Sequence, residues 1–233
     1  MPRPNEFGQP VGDPLGGWSP PPAPPAQRLE GRTVTLEPLE PKRHAAPLSE
    51  AFGNAPDSLW TYMAFGPFDT VADLETTLHS MTEAPDWSPY AIVVEGKPLG
   101  FASYLRIVPG DGTIEIGSIT FAPSLQRTTA ASEAIYLLIR YVFELGYRRC
   151  EWKCDHLNEA SRIAAVRLGF TYEGIFRQAT HYKGRNRDTA WYSIIDREWP
   201  DLDMAFQNWL SADNFDDRGR QRKGLGEMRE GKH

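Results

Sequence analysis

The sequence predicts an α/β protein of the α+β kind: a mixed, mostly antiparallel central sheet flanked by helices. Two observations carry this. Between residues 90 and 121 apolar and polar side chains alternate in three runs separated by short turns, the pattern of an antiparallel meander. Beyond Ala122 the period lengthens to that of amphipathic helices alternating with short strands.

Nine of the 20 prolines fall in the first 25 residues, so residues 1–28 read as a proline-rich arm. Phe7, Leu15 and Trp18 are out of place in a pure spacer, which leaves two readings open, a free arm or one laid along a domain surface. Residues 29–210 have the size of one compact domain. Residues 211–233 carry five Asp/Glu beside a run of Lys/Arg and read as a charged, disordered tail.

Within the domain, Thr33–Pro38 alternates as a first strand, and Pro41 opens a helix to about Phe52. A short helix at Asp57–Tyr62 and a longer one at Val71–Glu83 follow, the latter with Val71, Leu74, Leu78 and Met81 at helical spacing. The aromatic run Trp60–Phe65 either packs in the core or lines an acceptor pocket. Tyr90–Glu95, a turn at Gly96-Lys97, and Pro98–Arg106 form a hairpin, and Thr113–Phe121 adds a third strand. Ser132–Leu145 carries Ile135, Leu138, Ile139, Val142 and Phe143 on one stripe and stops at Gly146. Cys150–Cys154 is a strand and Glu159–Leu168 a helix. A closing hairpin pairs Tyr172–Thr180 with Trp191–Ile195 across Gly184–Asp188, before a last helix at Glu198–Leu210.

A formal net charge of −6 without a dense Lys/Arg run argues against a nucleic-acid function. No apolar run reaches the ~18–20 residues of a membrane span and no secretory leader is readable, so a cytoplasmic protein is expected. The two cysteines agree: on a strand, Cys150 and Cys154 would lie ~13 Å apart, too far for a disulfide. Cys154-Asp155-His156 lacks a second cluster to complete a metal site, so no metal is expected and both thiols read as buried.

Gln126-Arg127-Thr128-Thr129-Ala130-Ala131 lies between a strand and a helix, where unpaired N–H groups and a positive dipole end favour an anion. The same residues, with Glu133 close behind, also fit an ordinary helix entry of the capping-box kind.

The element order and these residues resemble the GCN5-related N-acetyltransferase family, an acyl-CoA N-acyltransferase-like fold whose signature Q/R-x-x-G-x-G/A matches here at Gln126 and Ala131. Asn158-Glu159-Ala160-Ser161 leading to Arg167-Leu168-Gly169-Phe170 is similar to a second segment of that family. With Tyr182-Lys183-Gly184-Arg185, Asp188 and Glu198-Trp199, the likeness is to the branch that includes ribosomal-protein N-acetyltransferases, over residues 29–210.

The resemblance implies acetyl-CoA as cosubstrate and a primary amine, of a small molecule or a protein N-terminus, as acceptor. It would put the pyrophosphate on the N–H groups of Arg127, Thr128, Thr129, Ala130 and Ala131, with Gln126 beside them. The pantetheine would run along Ser118–Phe121 between two splayed strands. Backbone N–H groups at Ile119 and Thr120, next to Phe121, would polarise the acetyl carbonyl. Glu115 would take the amine proton; period 2 puts it on the same face as Ile119. Ser161 would sit near the sulfur and Asn158 would orient the pantetheine amide. Thr129 stands where the family has glycine, and Val166 where many members have an acidic tyrosine. Those departures keep a second expectation in view, a non-catalytic CoA-binding or interaction module. A homodimer is compatible with the sequence.

Overall fold

An eight-stranded sheet organises the computed structural model, which describes residues 3–230. Residues 1–2 and 231–233, the outer ends of the predicted arm and tail, lie outside the described residues. In their order across the sheet the strands are β3 (Leu29–Glu30), β4 (Thr35–Pro38), β5 (Ser88–Val94), β6 (Lys97–Val108), β7 (Thr113–Phe121), β8 (Arg149–Asp155), β10 (Arg185–Ile195) and β9 (Thr171–Tyr182). Only the β7–β8 junction is parallel. It has to be, because the chain leaves β7, crosses over as α3 (Thr129–Glu144), and re-enters the sheet in the same direction.

The turns follow from backbone conformation. The β5–β6 turn is Glu95-Gly96, one residue earlier than the predicted Gly96-Lys97, and both residues have positive φ, 49° and 78°. The β9–β10 turn is Lys183-Gly184 at 48° and 70°, so the closing strands run closer together in sequence than predicted. Both turns have the I′-type signature that suits the strand twist.

Two cores sandwich the sheet. On one face Leu36, Ile92, Tyr104, Ile114 and Ile116 meet Ile135, Leu138, Ile139 and Val142 of α3, together with residues of α4 (Glu159–Arg167) and α5 (Trp199–Leu210). Each such side chain, once fully buried, contributes roughly 1.5–3 kcal/mol. Tyr104, wholly buried there, donates its hydroxyl to Leu138 O at 2.7 Å and so leaves no orphan polar group. On the other face Phe101 lies beneath Leu48 and Phe52 of α1 (Pro41–Phe52) and Leu74 and Leu78 of α2 (Val71–Glu83).

The arm lies on its own domain. Trp18 donates its indole N–H to Gly146 O at 3.2 Å under the Arg148 guanidinium, and Tyr147 and Tyr141 donate to Pro22 O and Pro25 O, both at 3.1 Å. Proline-rich chain, without donors of its own, is satisfied by donors from the domain. Farther out β1 (Arg3–Pro4) and β2 (Pro10–Val11) pair by themselves, with Phe7 exposed between them. The charge run after Leu210 is ordered as far as residue 230, against the disorder its composition predicts. Asn214 donates to Trp209 O and Lys223 O, and α6 (Leu225–Glu230) buries Leu225 and leans Met228 on the core. Apolar residues spaced among the charges account for the difference.

Candidate active site

The parallel junction opens. β7 and β8 pair only at Thr113↔Arg149, Ile114↔Cys150 and Glu115↔Glu151; beyond this the two strands part. The facing backbone edges of residues 116–121 and 152–155 therefore have no strand partner across the gap. β7 also changes course here. Between the pairs Ser103↔Gly117 and Phe101↔Thr120 it carries an extra residue, with Ser118 at φ 50°, a β-bulge.

The bulge corrects the predicted parity. Glu115, Gly117 and Thr120 pair with Leu105, Ser103 and Phe101, which alternate along one face of β6, so Thr120 and not Ile119 shares the face of Glu115. Ile119 turns to the α3 side, where it packs on the core with Phe121. At Gly117 the space is filled by neighbouring side chains: a Cβ there would come within 2.6 Å of Leu105 Cδ1 and 3.2 Å of Glu115 Oε1, so those side chains would have to shift.

Beside the gap, α3 begins. Thr128 is its N-cap, accepting the Ala131 N–H at 3.1 Å and donating to Leu125 O at 2.7 Å. Among the described residues no acceptor reaches the N–H groups of Thr129 or Ala130, as expected of a first helical turn. Gln126 closes the loop by donating to Phe121 O at 3.0 Å. The left-handed residue is Arg127, φ 62°, so the backbone does not demand glycine at Thr129, the first residue of the helix. Glu133 forms no capping box. It lies five residues past the cap, and its carboxylate accepts the N–H groups of Arg32 and Thr33 at 2.6 and 2.8 Å and the Thr33 hydroxyl, tying α3 to the first strands.

Glu115 is buried at the point where the strands separate. Its Oε2 lies 3.0 Å from Lys153 Nζ and 3.8 Å from Arg106 Nε. Lys153 also meets Glu151 at 2.6 Å and covers the Trp191 ring at 3.7 Å; Glu151 in turn accepts from Arg149. Burial pushes the Glu115 carboxyl up, against the pull of Lys153. Glu151 is buried less completely, and hydrogen bonds from Lys153 and Arg149 outweigh the burial and hold it below the usual range.

Across the gap, Asn158 caps α4 by accepting the Ser161 N–H at 3.1 Å, and Trp152 Nε1 donates to Ser161 Oγ at 3.0 Å. Cys150 and Cys154 are free and buried, and burial raises both thiols. At the outer end, Lys183 Nζ donates to Trp60 O at 2.8 Å, Arg185 to Thr61 O at 3.0 Å, and Tyr62 to Leu157 O at 3.1 Å. The aromatic run takes the core reading at Trp60, which packs with Phe52 and Phe68, and the backbone of Trp60 and Thr61 also meets the closing hairpin. Val166 is exposed, and Asp188 accepts from Gln178 N and Asn186 within its own hairpin.

Among the described residues no group of three or more metal-ligating side chains gathers, and no helix is long and apolar enough to cross a membrane. A concavity of about 900 Å³ lies along β4 and α1, but of the predicted site residues only Ala130 borders it, and its Arg28 and Arg43 are paired with Glu37 at 3.4 and 2.7 Å. Sequence reasoning missed Lys153, Trp152 and the bulge; the isolated Gly117 inside a strand pattern was the readable signal for the last.

A sheet opened at its one parallel junction, with free helix N–H groups beside the opening and a buried carboxylate at its base, is the arrangement expected of an acyltransferase with the acyl-CoA N-acyltransferase-like fold. The chain belongs to the GNAT acetyltransferases: a family model described as "Acetyltransferase (GNAT) domain" matches residues 33–171. A solved GCN5-related N-acetyltransferase from Brucella melitensis is 44% identical, covers 92% of this chain and 99% of its own, and superposes with a TM-score of 0.89. A probable GNAT-family acetyltransferase from Chromobacterium violaceum ATCC 12472 is 41% identical over 82% of this chain and 98% of its own, TM-score 0.79. The Bacillus subtilis (strain 168) protein named "Putative ribosomal N-acetyltransferase YdaF" is 28% identical over 71% of this chain and 93% of its own. This protein is accordingly an acetyl-CoA-dependent N-acetyltransferase.

Proposed function

We propose that the β7–β8 gap is where acetyl-CoA binds and where a primary amine attacks the thioester directly in a ternary complex. The observation that carries this is the unpaired β7 edge next to unpaired N–H groups at the start of α3. Residues 127–131 would hold the pyrophosphate, with Gln126 fixing the loop and Asn158 offering its Nδ2 to the pantetheine. The bulge at Ser118 redirects β7 just before Ile119 and Thr120, and in the bound complex backbone N–H groups of this stretch, beside Phe121, would bind the developing oxyanion. Glu115, its pKa raised by burial, accepts the amine proton directly or through water. Ser161 donates a hydrogen bond to the departing sulfur.

Likeness to the protein named as a ribosomal N-acetyltransferase supports a protein α-amine as acceptor. The pair of unbridged cysteines supports action in a reducing, cytoplasmic setting. The test is calorimetric titration with acetyl-CoA, followed by assay of free CoA thiol over a panel of small amines and N-terminal peptides. Binding with release specific to peptides is the expected result. Binding without release from any amine would favour the non-catalytic module instead, and absence of binding would overturn the assignment of the gap.

A further inference from the structure

We propose that Trp152 is a positioning residue for acyl transfer: its indole N–H fixes the Ser161 hydroxyl as a donor toward the sulfur that leaves. The inference rests on the acyl-transfer reading of the β7–β8 gap. Trp152 lies on the part of β8 that has parted from β7, and it is buried, 5% exposed. Its Nε1 lies 3.0 Å from Ser161 Oγ. An indole nitrogen can only donate, so Ser161 must accept this bond and its own proton is left to point at another acceptor.

The rest of Ser161 is held as firmly. Its backbone N–H is bonded to Asn158 Oδ1 on the first turn of α4, and the Trp152 ring is braced by Phe170 at 5.5 Å between centroids. A neutral sulfur is a weak acceptor and a thiolate a much stronger one, so this hydroxyl gains most from a sulfur on which charge builds.

In the reaction the N–C bond forms and the C–S bond breaks with its electron pair on sulfur. The proton the amine sheds is matched by the one the sulfur gains, so no outside reagent is required. Ser161 contributes a hydrogen bond to the sulfur as charge builds there, and Trp152 keeps that hydroxyl from rotating away. Nothing in this role touches the pyrophosphate loop or the acceptor end.

The experiment is a double-mutant cycle with Trp152→Phe, which keeps an aromatic ring and removes the donor, and Ser161→Ala. Trp152→Phe should lower kcat about fivefold to tenfold while the KM for acetyl-CoA stays within about twofold. In the Ser161→Ala background the same substitution should have no further effect, whereas Ser161→Thr, which retains the hydroxyl, should restore the dependence on Trp152. Equal losses in both backgrounds, or an unchanged kcat in Trp152→Phe, would overturn the proposal. A wild-type protein without turnover would instead overturn the acyl-transfer reading on which it rests. A readout independent of turnover is the indole N–H resonance of Trp152, which should shift in Ser161→Ala; an unmoved resonance counts against the pairing even if Trp152→Phe fails to fold.

Discussion

Replacing Glu115 by glutamine removes one negative charge from the base of the gap and keeps the side-chain volume. Lys153 Nζ is 3.0 Å from Glu115 but also 2.6 Å from Glu151 and 3.7 Å above the Trp191 ring, so the ammonium keeps a carboxylate partner in the variant. The variant therefore avoids the roughly 3–5 kcal/mol that an uncompensated buried charge costs, and its stability should change by only about 1 kcal/mol. A lost general base, by contrast, costs about 10²–10⁴ in rate. The expected outcome is a fall of about 100-fold or more in kcat/KM at neutral pH, with acetyl-CoA affinity by calorimetry within about twofold.

The pH dependence has a definite sign. Burial raises the Glu115 carboxyl, so wild-type kcat/KM should fall toward acid with a limb lying above the ordinary carboxylate range, and this limb should vanish in the glutamine variant. For folding, a raised carboxyl stabilises the native state below its unfolded pKa, and that stabilisation is lost as pH rises through the folded value. Wild type should thus lose stability relative to Glu115→Gln as pH climbs out of the acid range, measurable by urea unfolding at several pH values. An unchanged rate with the acid limb intact would refute the role of Glu115.

Thr129→Asp should raise thermal stability slightly, because a carboxylate suits the positive end of α3, yet weaken acetyl-CoA binding about tenfold or more by repelling the pyrophosphate; equal affinity in calorimetry would remove the phosphate from this loop. Glu133→Ala strips the acceptor from two backbone N–H groups and a hydroxyl of Arg32 and Thr33, a loss of about 3 kcal/mol that should lower Tm by roughly 6–12 °C in calorimetric scans. Trp18→Ala should cost about 1–2 kcal/mol and expose the arm to limited proteolysis, since Trp18 holds both Gly146 O and the Arg148 guanidinium; wild-type resistance to cleavage in the variant would show that the prolines alone anchor the arm.

How much of the site could be read in advance differs residue by residue. The strand and helix that frame Gln126–Ala131 were legible because both depend on local periodicity, and the splitting of the two strands followed from a resemblance. The pairing of Glu133 with Thr33, a hundred residues away in sequence, could not be read, and its place near a helix start suggested a cap instead. The order of residues 211–230 was hidden for a similar reason: Leu225 and Met228 find burial only against a core assembled from elsewhere in the chain.

Local patterning by itself determined the class of fold, the meander and the crossover through α3, since each is set by side-chain period and turn chemistry within a few tens of residues, whereas a phosphate at the start of α3 was suggested only by the family resemblance. The tertiary structure decided which groups meet. Period 2 places Ile119 with Glu115, yet one extra residue at Ser118 rotates the rest of β7 and substitutes Thr120. Likewise Lys153 becomes the partner of Glu115, and Trp152 that of Ser161, only because β8 pairs with β7 for three residues and then departs from it. Register and helix docking are global properties, fixed by the packing of whole faces, and no short stretch of sequence carries them alone.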